Sequence, residues 1–206
     1  MSILNKAIAK QFAHPAGLGG RLVSFVMNRQ NLPMYLETNR LLSPVQSDRI
    51  LDIGCGNGYV LQLLARQYNA ALAGIDTSKT MIKAASRRNR TFLKNGQTAL
   101  SVESASALSF ADASFSKAYS INTVYFWSDL NETMSEIRRV LAPGGLFVNT
   151  FYTNKTLARF PHTQFDYKRF TLEQLVGAGV HVGFSVEMVS ILDGSATCLL
   201  YRATGS

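Results

Sequence analysis

The run Leu51-Asp52-Ile53-Gly54-Cys55-Gly56-Asn57-Gly58-Tyr59 constrains this chain more than any other stretch. Arg49 to Ile53 reads as a short strand, three alternate glycines follow, and Tyr59 to Tyr68 then carries Val60, Leu61, Leu64 and Tyr68 on one helical face. Glycines suit a place where the backbone turns sharply and lets a ligand come close. The helix that follows begins with free N–H groups. A purely structural turn is the competing explanation, and the order strand, loop, helix counts against it.

The rest of the chain repeats that alternation. Strands are expected at Ala71 to Ile75, Ala99 to Val102, Lys117 to Ile121 and Leu146 to Phe151. Between them, Ser78 to Leu93 and Asp129 to Leu141 have helical spacing, the second halted by Pro143-Gly144-Gly145. Thr171 and Gln174 form a possible capping box for a helix ending near Gly177 and Gly179. Ser185 to Ile191 and Thr197 to Arg202 are two last strands, joined across Asp193-Gly194 as a hairpin. The pattern predicts an α/β fold: a Rossmann-like, doubly wound seven-stranded sheet with an antiparallel C-terminal hairpin and helices on both faces. Residues 1–44 form an N-terminal helical segment, broken at His14-Pro15-Ala16-Gly17-Leu18-Gly19-Gly20 and near Asn31-Leu32-Pro33. We expect it to be a lid on the domain of residues 45–206, within one structural domain overall. Its length of 206 residues leaves no room for a second full domain.

The glycine loop excludes two common ligands. A dinucleotide fingerprint needs Gly-x-Gly-x-x-Gly, and counting from Gly54 the last position is Tyr59. A phosphate loop needs Gly-Lys-Ser/Thr after the intervening residues, which is missing. Asp52, just ahead of the first glycine, is poorly suited to a pyrophosphate and well suited to a cationic amino group.

Asp52-Ile53-Gly54-Cys55-Gly56-Asn57-Gly58 resembles the first motif of class I S-adenosylmethionine-dependent methyltransferases. Four further segments resemble that family in the right order. They are Gly74-Ile75-Asp76-Thr77-Ser78 with Met81, then Leu108 to Phe115, then Arg138-Arg139-Val140-Leu141-Ala142-Pro143-Gly144-Gly145, and Phe170-Thr171 through Ala178-Gly179. The resemblance covers roughly residues 45–202 and is nearest to small-molecule enzymes similar to the quinone C-methyltransferases. It implies S-adenosylmethionine as methyl donor and S-adenosylhomocysteine as product, with no metal expected.

It also implies roles. Gly54, Cys55, Gly56 and Gly58 would form the cofactor loop, and Asp76 would bind the ribose hydroxyls, its two oxygens matching two adjacent hydroxyls. Asp76 as a first-turn acid of the next helix is the alternative. Asp52 would either contact the methionyl amino group or order the loop. Thr77 and Met81 would flank the adenine, although Met81 serves equally well in the core. The family usually has an acid before an Ala at the adenine, and this chain has Ser104-Ala105. A second departure is Ser116-Lys117, where the family prefers an acid; we expect that site to concern strand entry. Asn122 would line the sulfonium pocket. Tyr125 and Trp127 are substrate-pocket candidates, with a hydrophobic plug as the rival explanation. A general base is needed only if the acceptor bears a proton, and His14, Tyr152 and His162 are its weak candidates.

Composition sets the remaining bounds. Two cysteines exclude a disulfide framework, and there is no CxxC or HExxH metal pattern. Lys6, Lys10 and Gln11 interrupt any apolar signal region, and no run is long enough for a transmembrane segment, so the expected location is cytoplasmic. Twenty-one Lys and Arg against thirteen Asp and Glu give +8, which makes an anionic partner worth testing. Lys79, Lys83, Arg87, Arg90 and Lys94 fall within an arc of roughly 80° on a helical wheel. A solvated helix face is the plainer explanation. The expected function is methyl transfer to a small-molecule acceptor by a monomer or homodimer. An RNA methyltransferase using the basic face and a non-catalytic S-adenosylmethionine-binding protein are the alternatives.

Overall fold

In the computed structural model the described residues are 27–164 and 167–205. The strands are β1 (Arg49–Ile53), β2 (Ala71–Asp76), β3 (Thr98–Val102), β4 (Phe115–Ile121), β5 (Leu141–Tyr152), β6 (Phe184–Ile191) and β7 (Ala196–Ala203). They form one seven-stranded sheet in the order β3-β2-β1-β4-β5-β7-β6. The β1, β2, β3, β4 and β5 pairings are parallel, and β7 runs antiparallel to both β5 and β6. The expected architecture is the observed one. Strand order reverses between β1 and β4, where the chain leaves one side of the sheet and returns on the other, and open α/β sheets bind ligands at that point.

The helices are α1 (Leu32–Leu42), α2 (Tyr59–Gln67), α3 (Lys79–Arg88), α4 (Arg90–Lys94), α5 (Leu130–Val140), the short α6 (Asn154–Leu157) and α7 (Leu172–His181). Strand residues alternate between two buried layers. Leu51, Ile53, Ile75, Phe147 and Tyr201 pack with Met134 and Ile137 of α5 and Leu175 of α7. Ile50, Leu72, Tyr119 and Val148 face Met34 and Leu42 of α1, Leu61 and Leu64 of α2, and Ala85 of α3. Asp52 and Tyr119 thus stand on the second layer, beneath α1 and α2.

Three expected boundaries change. The helix expected over Ser78 to Leu93 breaks at Asn89, which is fully buried and donates Nδ2 to the carbonyls of Gly58 and Ala85. Strand β5 starts at Leu141, ahead of Pro143-Gly144-Gly145, because the segment between Leu141 and Leu146 bulges opposite Ser116. Helix α7 passes Gly177 and Gly179 and ends at His181, since Gly179 is the small residue that admits the Tyr201 ring and not a terminator. The Thr171–Gln174 capping box is present.

Ser116-Lys117 does lie at a strand entry. The Ser116 hydroxyl donates to Asp48 Oδ1 at 2.7 Å, and Lys117 Nζ lies 2.7 Å from Asp48 Oδ2. Burial alone would raise the Asp48 carboxyl, but Lys117, the Val45 N–H and Ser116 outweigh it and hold it below the usual carboxylate range. The start of β4 is thereby pinned against the start of β1. Arg139 does the same for the loop before β4, bonding Glu136, Asp112 and the carbonyls of Leu108 and Phe110.

The segment expected to be a lid has two parts. Leu32–Leu42 belongs to the core: Met34, Thr38 and Leu42 are at most 2% exposed, and Thr38 Oγ1 meets Thr150 Oγ1 of β5 at 2.7 Å. Thr150 continues the chain to Cys198 Sγ at 3.2 Å. Residues 1–26 lie outside the described residues. No described helix is long and apolar enough to cross a membrane.

Candidate functional site

A cavity of about 490 Å3 opens at the carboxyl ends of β1, β2 and β4. Its inner wall is the loop from β1 to α2. Gly54 has φ +77°, and a Cβ there would run into the Thr123 side chain. Gly56 has φ +52°, and a Cβ there would meet nothing within 4 Å. The first glycine is demanded by the protein itself, and the second leaves bare backbone facing open space. Gly58 does not line the cavity. It precedes α2 and packs beneath Asn89.

Two carboxyls share this wall. Asp76 accepts the Gly56 N–H at 3.0 Å through Oδ2 and the Ser78 N–H at 2.8 Å through Oδ1. It therefore orders the loop and starts α3. Asp52 is 3% exposed and accepts a 2.7 Å hydrogen bond from the Tyr119 hydroxyl. The two residues are neighbours in the β1–β4 register. Burial pushes the Asp52 carboxyl up to about 8, against the Tyr119 hydrogen bond and helped by the nearby Asp76 charge. Burial also raises the Cys55 thiol, so the loop cysteine is a poor nucleophile.

Thr77 and Met81 line the side of the cavity beyond Asp76, next to Ser104 and Ala105. Met81 belongs to neither buried layer. The Ser104 hydroxyl is 2.9 Å from that of Ser106 and 3.3 Å from the Ser106 N–H, so part of its capacity is used locally. Glu103 also lines the cavity, and its carboxylate accepts the N–H and hydroxyl of Ser109.

The opposite wall is aromatic. Asn122 ends β4 with φ +58°, a conformation that Asn tolerates better than most residues. Its Oδ1 lies 3.2 Å from the Tyr125 hydroxyl, and its Nδ2 lies 3.5 Å from Met34 Sδ. Tyr125, Phe126 and Trp127 line the wall, with Tyr35 and Tyr59 across from them, their rings 5.8 Å apart. Burial pushes the Tyr35 hydroxyl up to about 12 and raises that of Tyr125 as well, so both remain protonated donors near neutrality. Met27, Asn28 and Asn31 close one side, and Lys168 sits at the rim.

Of the residues singled out from sequence, Asp52, Gly54, Cys55, Gly56, Asp76, Thr77, Met81, Ser104, Ala105, Asn122, Tyr125 and Trp127 meet on this one cavity. Tyr152 does not line it: it stands behind Tyr125, and its hydroxyl donates to Asn31 at 3.1 Å. His14 and the side chain of His162 lie outside the described residues. Sequence reasoning passed over Tyr35, Tyr119, Thr123 and Lys168. Only the pairing of β1 with β4 exposes the role of Tyr119, and Thr123 matters because Gly54 touches it.

The chain matches the methyltransferase-domain family model over residues 51–149. It is 34% identical over 168 residues to O-methyltransferase rstn1 of Aspergillus nomiae, covering 77% of this chain and 74% of that protein. It is 36% identical over 107 residues to O-methyltransferase cnsE of Penicillium expansum, covering 52% of this chain but 39% of that longer protein. A solved complex of the Haloferax volcanii Trm112 methyltransferase activator with a methyltransferase superposes with TM-score 0.74 at 22% identity, covering 87% of this chain and 92% of that one. At that identity the likeness is one of fold. With the glycine loop and its two carboxyls in place, the match to the methyltransferase-domain family and to a relative over most of both lengths decides the family: the chain belongs to the class I S-adenosylmethionine-dependent methyltransferases.

Proposed function

We propose that this protein moves a methyl group from S-adenosylmethionine to a hydroxyl of a small molecule with a largely apolar body. One observation carries the reading: Asp52 and Asp76 flank bare glycine backbone on the wall of a single cavity. The residues fit the donor part by part. Asp76 offers a carboxylate, the acceptor that two adjacent ribose hydroxyls match. Asp52 matches an ammonium. Thr77, Met81, Ser104 and Ala105 hold the adenine, with the Ala105 backbone taking over part of what an acid does elsewhere. Asn122 and the Tyr125 ring stand beside the sulfur. When bound, the donor would supply an electrophilic methyl carbon on a cationic sulfur; transfer would form the C–O bond as the S–C bond breaks, release the hydroxyl proton to solvent and leave S-adenosylhomocysteine.

The work of the chain is alignment and exclusion of water. Tyr35 and Tyr125 do not act as bases, because burial keeps their hydroxyls protonated. The N-terminal segment serves as a lid through Met27, Asn28 and Asn31, which line the cavity. The O-methyltransferase names of the relatives support oxygen as the acceptor atom. The RNA alternative has less support, since none of Lys79, Lys83, Arg87, Arg90 and Lys94 lines the cavity. Calorimetry with S-adenosylmethionine and its product should show one site. Labelled donor should then pass methyl into a metabolite extract, the product being read by mass. Donor binding without transfer would favour the non-catalytic reading; no donor binding would overturn both.

A further inference from the structure

A second hollow, of about 250 Å3, lies on the other side of Tyr125. Val124, Phe151, Phe170, Leu172 and Leu175 give it an apolar lining. Two of its polar side chains are engaged locally: Asn154 Nδ2 donates to the Phe170 carbonyl at 3.0 Å, and Thr171 is committed to the capping box with Gln174. The contact area of the hollow is therefore supplied mainly by its apolar side chains. Glu173 stands at its edge as an exposed carboxylate, which disfavours an anionic guest.

Tyr125 is the partition, lining both spaces. Its hydroxyl accepts the Tyr152 N–H at 2.6 Å and lies 3.2 Å from both Asn122 Oδ1 and the Tyr152 carbonyl. Its ring stacks on Tyr167 at 5.3 Å. Apolar surface is left uncovered around the partition: Phe126 is 44% exposed and Leu172 38%. A donor of nucleoside and amino-acid parts fills much of the larger cavity, so an acceptor of any length must extend beyond it.

We propose that the hollow beside Tyr125 binds an uncharged hydrocarbon arm of the acceptor whose reacting hydroxyl lies in the larger cavity. This rests on the methyltransferase reading given above. The two spaces share the Tyr125 ring, and the exposed Phe126 and Leu172 offer apolar surface beside it, which suits a single molecule with a reactive head and an apolar arm.

The test uses methyl, butyl and octyl 4-hydroxybenzoate on the full chain saturated with S-adenosylhomocysteine. Affinity should rise by up to about fourfold per added methylene until the hollow is full. In protein labelled at Leu and Val methyls the octyl ester should shift the Leu172 and Leu175 signals, whereas the methyl ester should shift Val60, which lines the larger cavity, and leave Leu172 and Leu175 in place. Leu172→Trp, at a half-exposed position, should bring the octyl ester to within about threefold of the methyl ester while keeping a cooperative melt. Leu172→Ala should leave the chain-length series in place. Affinity independent of chain length, no binding at any length, or octyl shifts absent from Leu172 and Leu175 would each overturn the proposal. Binding of S-adenosylhomocysteine is measured first on the same sample. Its failure refutes the proposed function, and its success with a flat ester series refutes only the arm site.

Discussion

Asp52 is a carboxyl almost wholly removed from water, held by the Tyr119 hydroxyl and with the Asp76 charge nearby. With its carboxyl pushed up to about 8, it carries a proton in the free protein at neutral pH. A cationic ligand must displace that proton. Affinity for S-adenosylmethionine should therefore climb as pH rises from 6 to 8, by at most about tenfold per unit, and level off above. Calorimetry in buffers of different ionisation enthalpy will count the proton released, and Asp52→Asn should flatten the profile. The sign for folding is the reverse. An acid raised on folding stabilises the native state below its unfolded value, and this is lost as pH rises through 8. The free protein should melt lower at pH 8.5 than at pH 5.5, and less so in Asp52→Asn. The loop glycines separate in a similar way. Gly54→Ala meets both left-handed backbone and Thr123, so it should lose about 2–4 kcal/mol in urea titration. Gly56→Ala meets only the backbone term, about 1–2 kcal/mol, yet should lose donor binding. Asp52, Gly54 and Gly56 were legible because their meaning is local. Tyr119 was not, because its partner lies 67 residues away and only strand register brings them together.

Among the elements, α1 shows where a sequence pattern misleads. Its glycine-rich approach suggested a cover outside the sheet, but Met34, Thr38 and Leu42 fall on one face and are buried in the core. Deleting residues 1–30 should leave a cooperatively folding protein that has lost activity, whereas deleting residues 1–42 should expose Val148, Leu146 and Tyr119 and leave the chain insoluble. Expression and thermal melts of the two truncations will distinguish these outcomes. Activity retained after the shorter deletion would remove the lid. The α3–α4 break is a second lesson. Periodicity continues through Asn89, so apolar spacing gives no hint of a stop there. What ends α3 is a buried amide that ties it to the Gly58 and Ala85 carbonyls. Asn89→Ala should lower stability by about 1–3 kcal/mol, read from denaturant midpoints, because it removes two buried hydrogen bonds, to the Gly58 and Ala85 carbonyls.

For the whole molecule, the doubly wound sheet with its antiparallel hairpin and the place of the cavity followed from alternation and from the glycine loop, since such a sheet offers one switch point. What the sequence could not show was the second hollow, which arises where α6, α7 and the turn after β4 meet. The net charge of +8 also acquires a location. Residues 77–102 carry six Lys or Arg and no acid, and five of these six are exposed on α3 and α4. The sixth, Arg88, is drawn inward to the Asn57 carbonyl and the Tyr59 ring. Reversing Lys79, Lys83 and Arg87 to Glu should leave methyl transfer to a neutral small acceptor within about twofold, with any effect fading as salt rises.

The β1–β4 junction also governs when this protein becomes functional during synthesis. The glycine loop and Asp76 lie in the first half of the sheet, while Tyr119, Asn122 and Tyr125 arrive after the β2 and β3 units have been made. A nascent chain that has emerged only through β3 has the loop and lacks the cavity, and closing so long a connection costs entropy before its contacts compensate. Tight donor capture therefore begins only once β4 docks beside β1, so the ligand acts as a late clamp on the assembled sheet and not as a template for its first strands.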